Sequence, residues 1–89
     1  MPRWEITVFG RVQGVGFRYH VKRSAEMLDV NGFVKNLPDG SVYIQAEAEK
    51  SAFESFCRLV EQGNSFSRVS KLSIEKLESM KRYNDFEIR

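Results

Sequence analysis

The residues best suited to chemistry stand in one run: Gly10, Arg11, Val12, Gln13, Gly14, Val15, Gly16, Phe17 and Arg18. A glycine-containing turn that opens a helix leaves several main-chain N–H groups without carbonyl partners, and the helix dipole adds roughly half a positive charge there. An anion is the natural occupant of such a place. Without a Cβ, Gly14 and Gly16 can take positive φ and let the amides from Gln13 to Arg18 converge as a concave nest on a tetrahedral oxyanion. Arg18 follows directly. Its planar guanidinium suits a two-pronged contact with phosphate oxygens, and charge-assisted bonds of this kind contribute roughly 1.5–3 kcal/mol each. Amides and guanidinium together can hold a phosphate with no metal. Two other phosphate loops do not fit. No Lys-Ser or Lys-Thr follows a glycine at the Walker spacing, and Tyr19 occupies the third glycine position of the dinucleotide fingerprint. Neither ATP hydrolysis by a P-loop nor NAD binding is expected. His20 and Cys57 are the sole imidazole and thiol, too few and too far apart in sequence for a structural zinc site.

Elements on either side must position this run. Trp4, Glu5, Ile6, Thr7 and Val8 alternate bulky apolar with polar residues up to Phe9 and Gly10, the pattern of a half-buried strand. Beyond the loop, Phe17, Val21, Ala25 and Leu28 recur at helical spacing with Lys22, Arg23 and Glu26 between them. A second strand is expected over Asn31 to Asn36. Leu37, Pro38, Asp39 and Gly40 then supply turn chemistry, and Val42, Ile44, Ala46 and Ala48 alternate as a third strand antiparallel to the second. Ser51 with Glu54 predicts a capping box opening a second helix, whose stripe of Phe53, Phe56, Cys57 and Val60 ends near Gly63 as C-cap. From Val69 to Leu77 the apolar phase slips, which predicts a strand carrying a bulge. Phe86 and Ile88 predict a short C-terminal edge strand. The order β, α, β, β, α, β is that of an α+β, ferredoxin-like split βαβ sandwich, an antiparallel sheet with two helices on one face. Many unrelated functions use that arrangement, so function has to be argued from the loop.

The 89 residues suffice for a single domain over residues 1–89, and a domain of this size buries only about 60–65 % of its unfolded surface. A net charge of +2 falls well short of the clustered basic charge that binds nucleic-acid backbones, so a small anion fits better than a polymer. The lone Cys57 suits a reducing compartment, with the cytoplasm as the default. No secretory signal or membrane-spanning run is evident in the sequence, and a monomer is expected.

Gly10 with Val12 to Arg18 resembles the first signature of the acylphosphatase family. Gly32, Phe33, Val34, Lys35 and Asn36, followed by Gly40 and Val42, resemble its second. The tail residues Tyr83, Phe86, Ile88 and Arg89 are similar to the family's ending, so the likeness runs along nearly the whole chain. Ala48 departs from the second signature, which usually has glycine there, and this bears on local backbone shape. The resemblance implies an acyl phosphate as substrate, cleaved by water to a carboxylate and inorganic phosphate, with no cofactor. It implies that Arg18 and the amides of Gln13, Gly14, Val15, Gly16, Phe17 and Arg18 hold the phosphoryl group while Asn36 orients the attacking water. Phosphoryl transfer asks mainly for positioning and charge stabilisation, which agrees with this division. Neither signature contains a carboxylate or histidine to act as general base, so the water proton is expected to pass to the substrate's own phosphate oxygens.

Each residue also has a plainer reading. Arg18 is otherwise a solvated helix arginine, and Gly14 and Gly16 an ordinary connection. Spacing alone favours Asn36 as a turn initiator, whereas the resemblance favours the catalytic role. His20 reads as a surface or ring-packing residue and Cys57 as a small hydrophobe, while Lys22, Arg23 and Lys35 form a solvated basic rim. Two other functions compete. An RNA-binding module shares the element order, but its aromatic signature belongs on the third strand, and here Gly32, Phe33 and Val34 fall on the second. A non-catalytic phosphate-binding domain would use the same loop with little turnover, against which the shortness of the chain favours an independent enzyme.

Overall fold

In the computed structural model, which describes residues 1–78 and 81–89, alternation sets the strands and helical spacing the helices. The elements in chain order are β1 (Arg3–Arg11), α1 (Phe17–Met27), β2 (Asn31–Asn36), β3 (Val42–Glu47), α2 (Lys50–Gln62), β4 (Arg68–Leu77) and β5 (Phe86–Ile88). The five strands form one sheet in the order β4-β1-β3-β2-β5. β1 lies antiparallel to both β3 and β4, and β2 antiparallel to β3, as in the expected split βαβ arrangement. β5 runs parallel to β2, so the sheet is mixed and its C-terminal strand forms the edge.

The core lies between one sheet face and the two helices. Trp4, Ile6 and Val8 on β1 stand opposite Ala46, Ile44 and Val42 on β3, and Val34 continues the layer on β2. Phe17, Val21 and Ala25 enter this layer from α1, and Phe53, Phe56 and Val60 from α2. Two aromatic contacts join helix to sheet. Trp4 stacks on Phe53 with centroids 3.9 Å apart, and Phe86 meets Phe56 edge-on at 6.0 Å. On the opposite face, Tyr83 Oη donates to Gln45 Oε1 at 2.6 Å, Gln45 Nε2 to Tyr43 Oη at 2.8 Å, and Tyr43 Oη to Glu5 Oε1 at 2.7 Å.

The expected bulge is present. Phe9 pairs with Lys71 but Gly10 with Val69, so Ser70 is the additional residue on β4. A side chain at Gly10 would run into the Arg68 carbonyl at this step, which is why the strand leading into the loop carries glycine there. Two local expectations need correction. β3 ends at Glu47, and the Ala48 N–H leaves the ladder to bond Pro2 O at 3.1 Å. The capping box on Ser51 and Glu54 does not form. α2 begins at Lys50 behind an extended Glu49 (φ −61, ψ 150) with no side-chain cap, which places Ser51 inside the first turn, beyond reach of the N–H groups it was expected to satisfy. Gly63 does close the helix, its N–H donating to Leu59 O at 3.1 Å.

Candidate active site

α1 opens on a residue that cannot cap it. Gly16 is its N-cap in the left-handed region (φ 75, ψ 16) with no side-chain bond, and Gly14 shares that region (φ 74). A serine or aspartate at the cap would accept from the N–H groups one turn on. Glycine leaves them free. Among the described residues, the first N–H of the helix to find a main-chain partner is that of His20, bonded to Gly16 O at 3.2 Å. The amides before it face outward at the positive end of the helix dipole.

Phe17, Arg18 and Tyr19, the residues that carry these amides, line a cavity of about 210 Å³ together with Val12, Gly14, Gly16 and Asn36. Arg18 and Asn36, eighteen positions apart in sequence, are thus brought to one hollow. Arg18 is fixed from behind: Nη1 donates to the main-chain oxygen of Arg89 at 3.0 Å, using one of its several N–H donors. Asn36 ends β2, paired with Val42, and its side chain is exposed at the cavity wall. The turn it precedes is held by other groups. Leu37 N–H bonds Ser41 O at 2.9 Å, and Asp39 Oδ1 accepts from the Ser41 N–H at 2.9 Å. The Ser41 hydroxyl foremost and the Ser41 N–H next, both donating to Asp39 Oδ1, hold the Asp39 carboxyl below its ordinary pKa. Asn36 therefore is not needed to initiate the turn.

Gln13 and Val15, although expected in the phosphate loop, do not line the cavity. Gln13 Nε2 turns away to donate to Leu37 O and Ser41 O, each at 2.8 Å, clamping the loop to the β2–β3 turn. Val15 packs against the core. His20 is a linker between helices, with Nε2 2.8 Å from Leu59 O and its ring 6.1 Å from that of Phe17. Because a carbonyl only accepts, Nε2 carries the proton in that bond. Cys57 is half-buried beside the core, where burial foremost and the acidic neighbours Glu54 and Glu61 next push its thiol up to about 11. Sequence reasoning missed Tyr19 and Ile88 as cavity walls and the Arg89 oxygen as the tether of Arg18. A neighbouring hollow of about 340 Å³ between α1 and α2 shares Gly16 and Tyr19 with the first. Its guanidinium, Arg23, lies over the Tyr19 ring at 5.8 Å.

The family model for acylphosphatase matches residues 4–88. The chain belongs to the acylphosphatase family. It is 44 % identical over 84 residues to an acylphosphatase of Archaeoglobus fulgidus, an alignment covering 94 % of this chain and 93 % of that one. Among solved structures, the crystal structure of acylphosphatase from Bacillus subtilis superposes with a TM-score of 0.97 at 42 % identity, covering 100 % of this chain and 99 % of that one. The fold also resembles part of a larger protein, HypF of T. kodakarensis, with TM-score 0.89 and 28 % identity over all of this chain and 12 % of the other. Within this acylphosphatase-family chain the departure at Ala48 is buried and lies past the end of β3 remote from Val42 and the cavity.

Proposed function

We propose that this chain hydrolyses acyl phosphates, that the phosphoryl group sits against the unpaired amides of the Gln13–Arg18 loop, and that Arg18 and Asn36 are its catalytic residues. The observation that carries this reading is the gathering of N–H groups at an uncapped helix start, one guanidinium and one carboxamide on a single cavity. Arg18 neutralises the phosphoryl oxygens, and charge that builds on them in the transition state is met by donors already oriented. Asn36 accepts from and aims a water at phosphorus, opposite the acyl oxygen. The water oxygen forms the new P–O bond, the bond to the acyl oxygen breaks, and a carboxylate and inorganic phosphate result. Among the described residues, no carboxylate or imidazole side chain lines the cavity, which supports transfer of the water proton to a phosphate oxygen of the substrate. The amide, guanidinium and carboxamide donors bind an anion directly, which favours a reaction independent of metal.

The same reading assigns a small-molecule substrate without nucleic acid, a single domain acting as a monomer, and a cytoplasmic setting suited to the free thiol of Cys57. Phe33 is only 6 % exposed beneath the Arg89 guanidinium 4.0 Å away, so this ring is not open for a base to stack on. Release of inorganic phosphate from benzoyl phosphate in chelator-treated buffer tests the proposal. Turnover that persists without metal is expected. Phosphate binding with no cleavage of any acyl phosphate would instead make this a non-catalytic phosphate-binding domain.

A further inference from the structure

The loop between α2 and β4 reaches the phosphate loop from outside. Asn64 Nδ2 donates to the Val15 carbonyl oxygen at 2.8 Å, a contact spanning 49 positions of sequence. Asn64 is held for this purpose by its own turn: its N–H donates to Ser67 Oγ at 2.9 Å, its carbonyl accepts from the Ser67 N–H at 3.3 Å, and its Oδ1 accepts from the Phe66 N–H at 3.3 Å. The carboxamide thus has one side occupied by the turn and the other by Val15.

Val15 C=O and Gly16 N–H belong to one planar peptide unit, in which a trans bond points the two groups in opposite directions. A donor fixed on the carbonyl therefore aims the N–H away from itself. Asn64 lines the hollow between α1 and α2 and not the cavity that holds Arg18 and Asn36, whereas Gly16 borders both. The Asn64 carboxamide approaches from the α2 side, so the Gly16 N–H points away from that side. This matters because Gly16 has neither a side chain nor an α-helical neighbour before it to keep that peptide from turning over.

We propose that Asn64 is a positioning residue of the site: by holding the Val15 carbonyl it orients the Gly16 amide toward the phosphoryl group. The inference rests on the phosphate-loop reading above and adds a residue outside both sequence signatures. Asn64 touches no reacting atom. Its effect falls on ground state and transition state alike, because the amide contacts phosphate oxygens in both, so KM and the inhibition constant of inorganic phosphate rise together while kcat changes less.

Asn64→Ala removes the donor, and Asn64→Asp removes it while keeping an oxygen for the Phe66 N–H. The experiment measures kcat and KM for benzoyl phosphate, the inhibition constant of inorganic phosphate, and the position of the Gly16 amide in proton–nitrogen NMR spectra with and without phosphate. In both variants the inhibition constant is expected to rise on the order of three- to tenfold, as for loss of one oriented neutral donor, with the Gly16 amide displaced in the phosphate-free spectrum. A folded variant of either kind that keeps the parent's inhibition constant and Gly16 amide position overturns the inference while leaving the loop reading intact. A parent that neither binds phosphate nor cleaves the substrate overturns the loop reading, and this inference with it.

Discussion

Arg18 and Asn36 reach the cavity by different means, and their substitutions should read differently. Arg18 is tethered through Nη1 to Arg89, so its remaining donors are presented in a restricted geometry. Asn36 is placed by the end of β2, where it pairs with Val42. Arg18→Ala and Asn36→Ala should each lower turnover of benzoyl phosphate on the order of a hundredfold or more, the scale of removing one preorganised oxyanion donor. Arg18→Lys should recover little of it, because an ammonium supplies a point charge in place of a planar fork and reaches Arg89 and phosphate with different geometry. Steady-state kinetics of the folded variants check all three. The Cys57 thiol, raised from an ordinary 9.0 to about 11, should be almost wholly protonated at pH 8 and alkylate slowly in the native protein. Since the folded state holds that proton more tightly than the unfolded state, its contribution is intact below about pH 9 and declines as pH rises toward 11. Denaturant melts of Cys57→Ala should lack this part of the alkaline decline. At this scale the sequence was most informative where one residue type has one physical use. Gly14 and Gly16 do take positive φ, and Arg18 does border the same cavity as they do. It was silent on Asn64, whose partner Val15 is 49 positions away, since no local pattern encodes such a contact.

The elements hold the loop at three places. β1 delivers it through the bulge at Ser70, α1 begins on Gly16, and Gln13 fastens it to the β2–β3 turn through Leu37 and Ser41. Gln13→Ala removes both clamps and leaves two carbonyls to find other partners. It is expected to cost about 1–2 kcal/mol in denaturant melts and to raise KM for the acyl phosphate, with the larger part of kcat retained. The strands were legible because Trp4 to Val8 and Val42 to Glu47 alternate cleanly, and each apolar set faces the core. β2 was placed at Asn31 to Asn36, the bounds it has. The start of α2 was not, because Ser51 and Glu54 satisfy the capping-box spacing while the chain enters the helix earlier, at Lys50. Spacing names residues able to cap; only the incoming backbone decides which one occupies the cap.

On the scale of the molecule, the C-terminal strand closes the site although its residues lie far from the loop in sequence. Arg89 N–H bonds Val34 O at 2.8 Å, Gly32 N–H bonds Asp85 O at 2.8 Å, and the buried Glu47 carboxylate accepts from the Tyr83 N–H at 3.0 Å. Phe86, 2 % exposed against Phe56, anchors this segment in the core. Phe86→Ala should therefore cost about 3–5 kcal/mol in stability and, in the fraction that remains folded, lower turnover by loosening the Arg89 oxygen that tethers Arg18. A melt and an activity assay on the same sample separate the two effects. The sequence showed that Phe86 and Ile88 alternate, which was enough to expect an edge strand. That this strand would lie parallel to β2 and tether Arg18 depends on pairing across the sheet, beyond any periodicity in three residues.

In the proposed site, amides left unpaired by Gly16 converge, with Arg18, on one phosphate. Titration of the protein, uniformly labelled with nitrogen-15, with inorganic phosphate reads this convergence amide by amide. The amides of Gly14, Gly16, Phe17 and Arg18 should shift most and saturate with one dissociation constant, and Arg18→Ala should weaken that binding about tenfold or more. Saturable shifts centred elsewhere, or loop amides unmoved at phosphate concentrations that inhibit turnover, would contradict it.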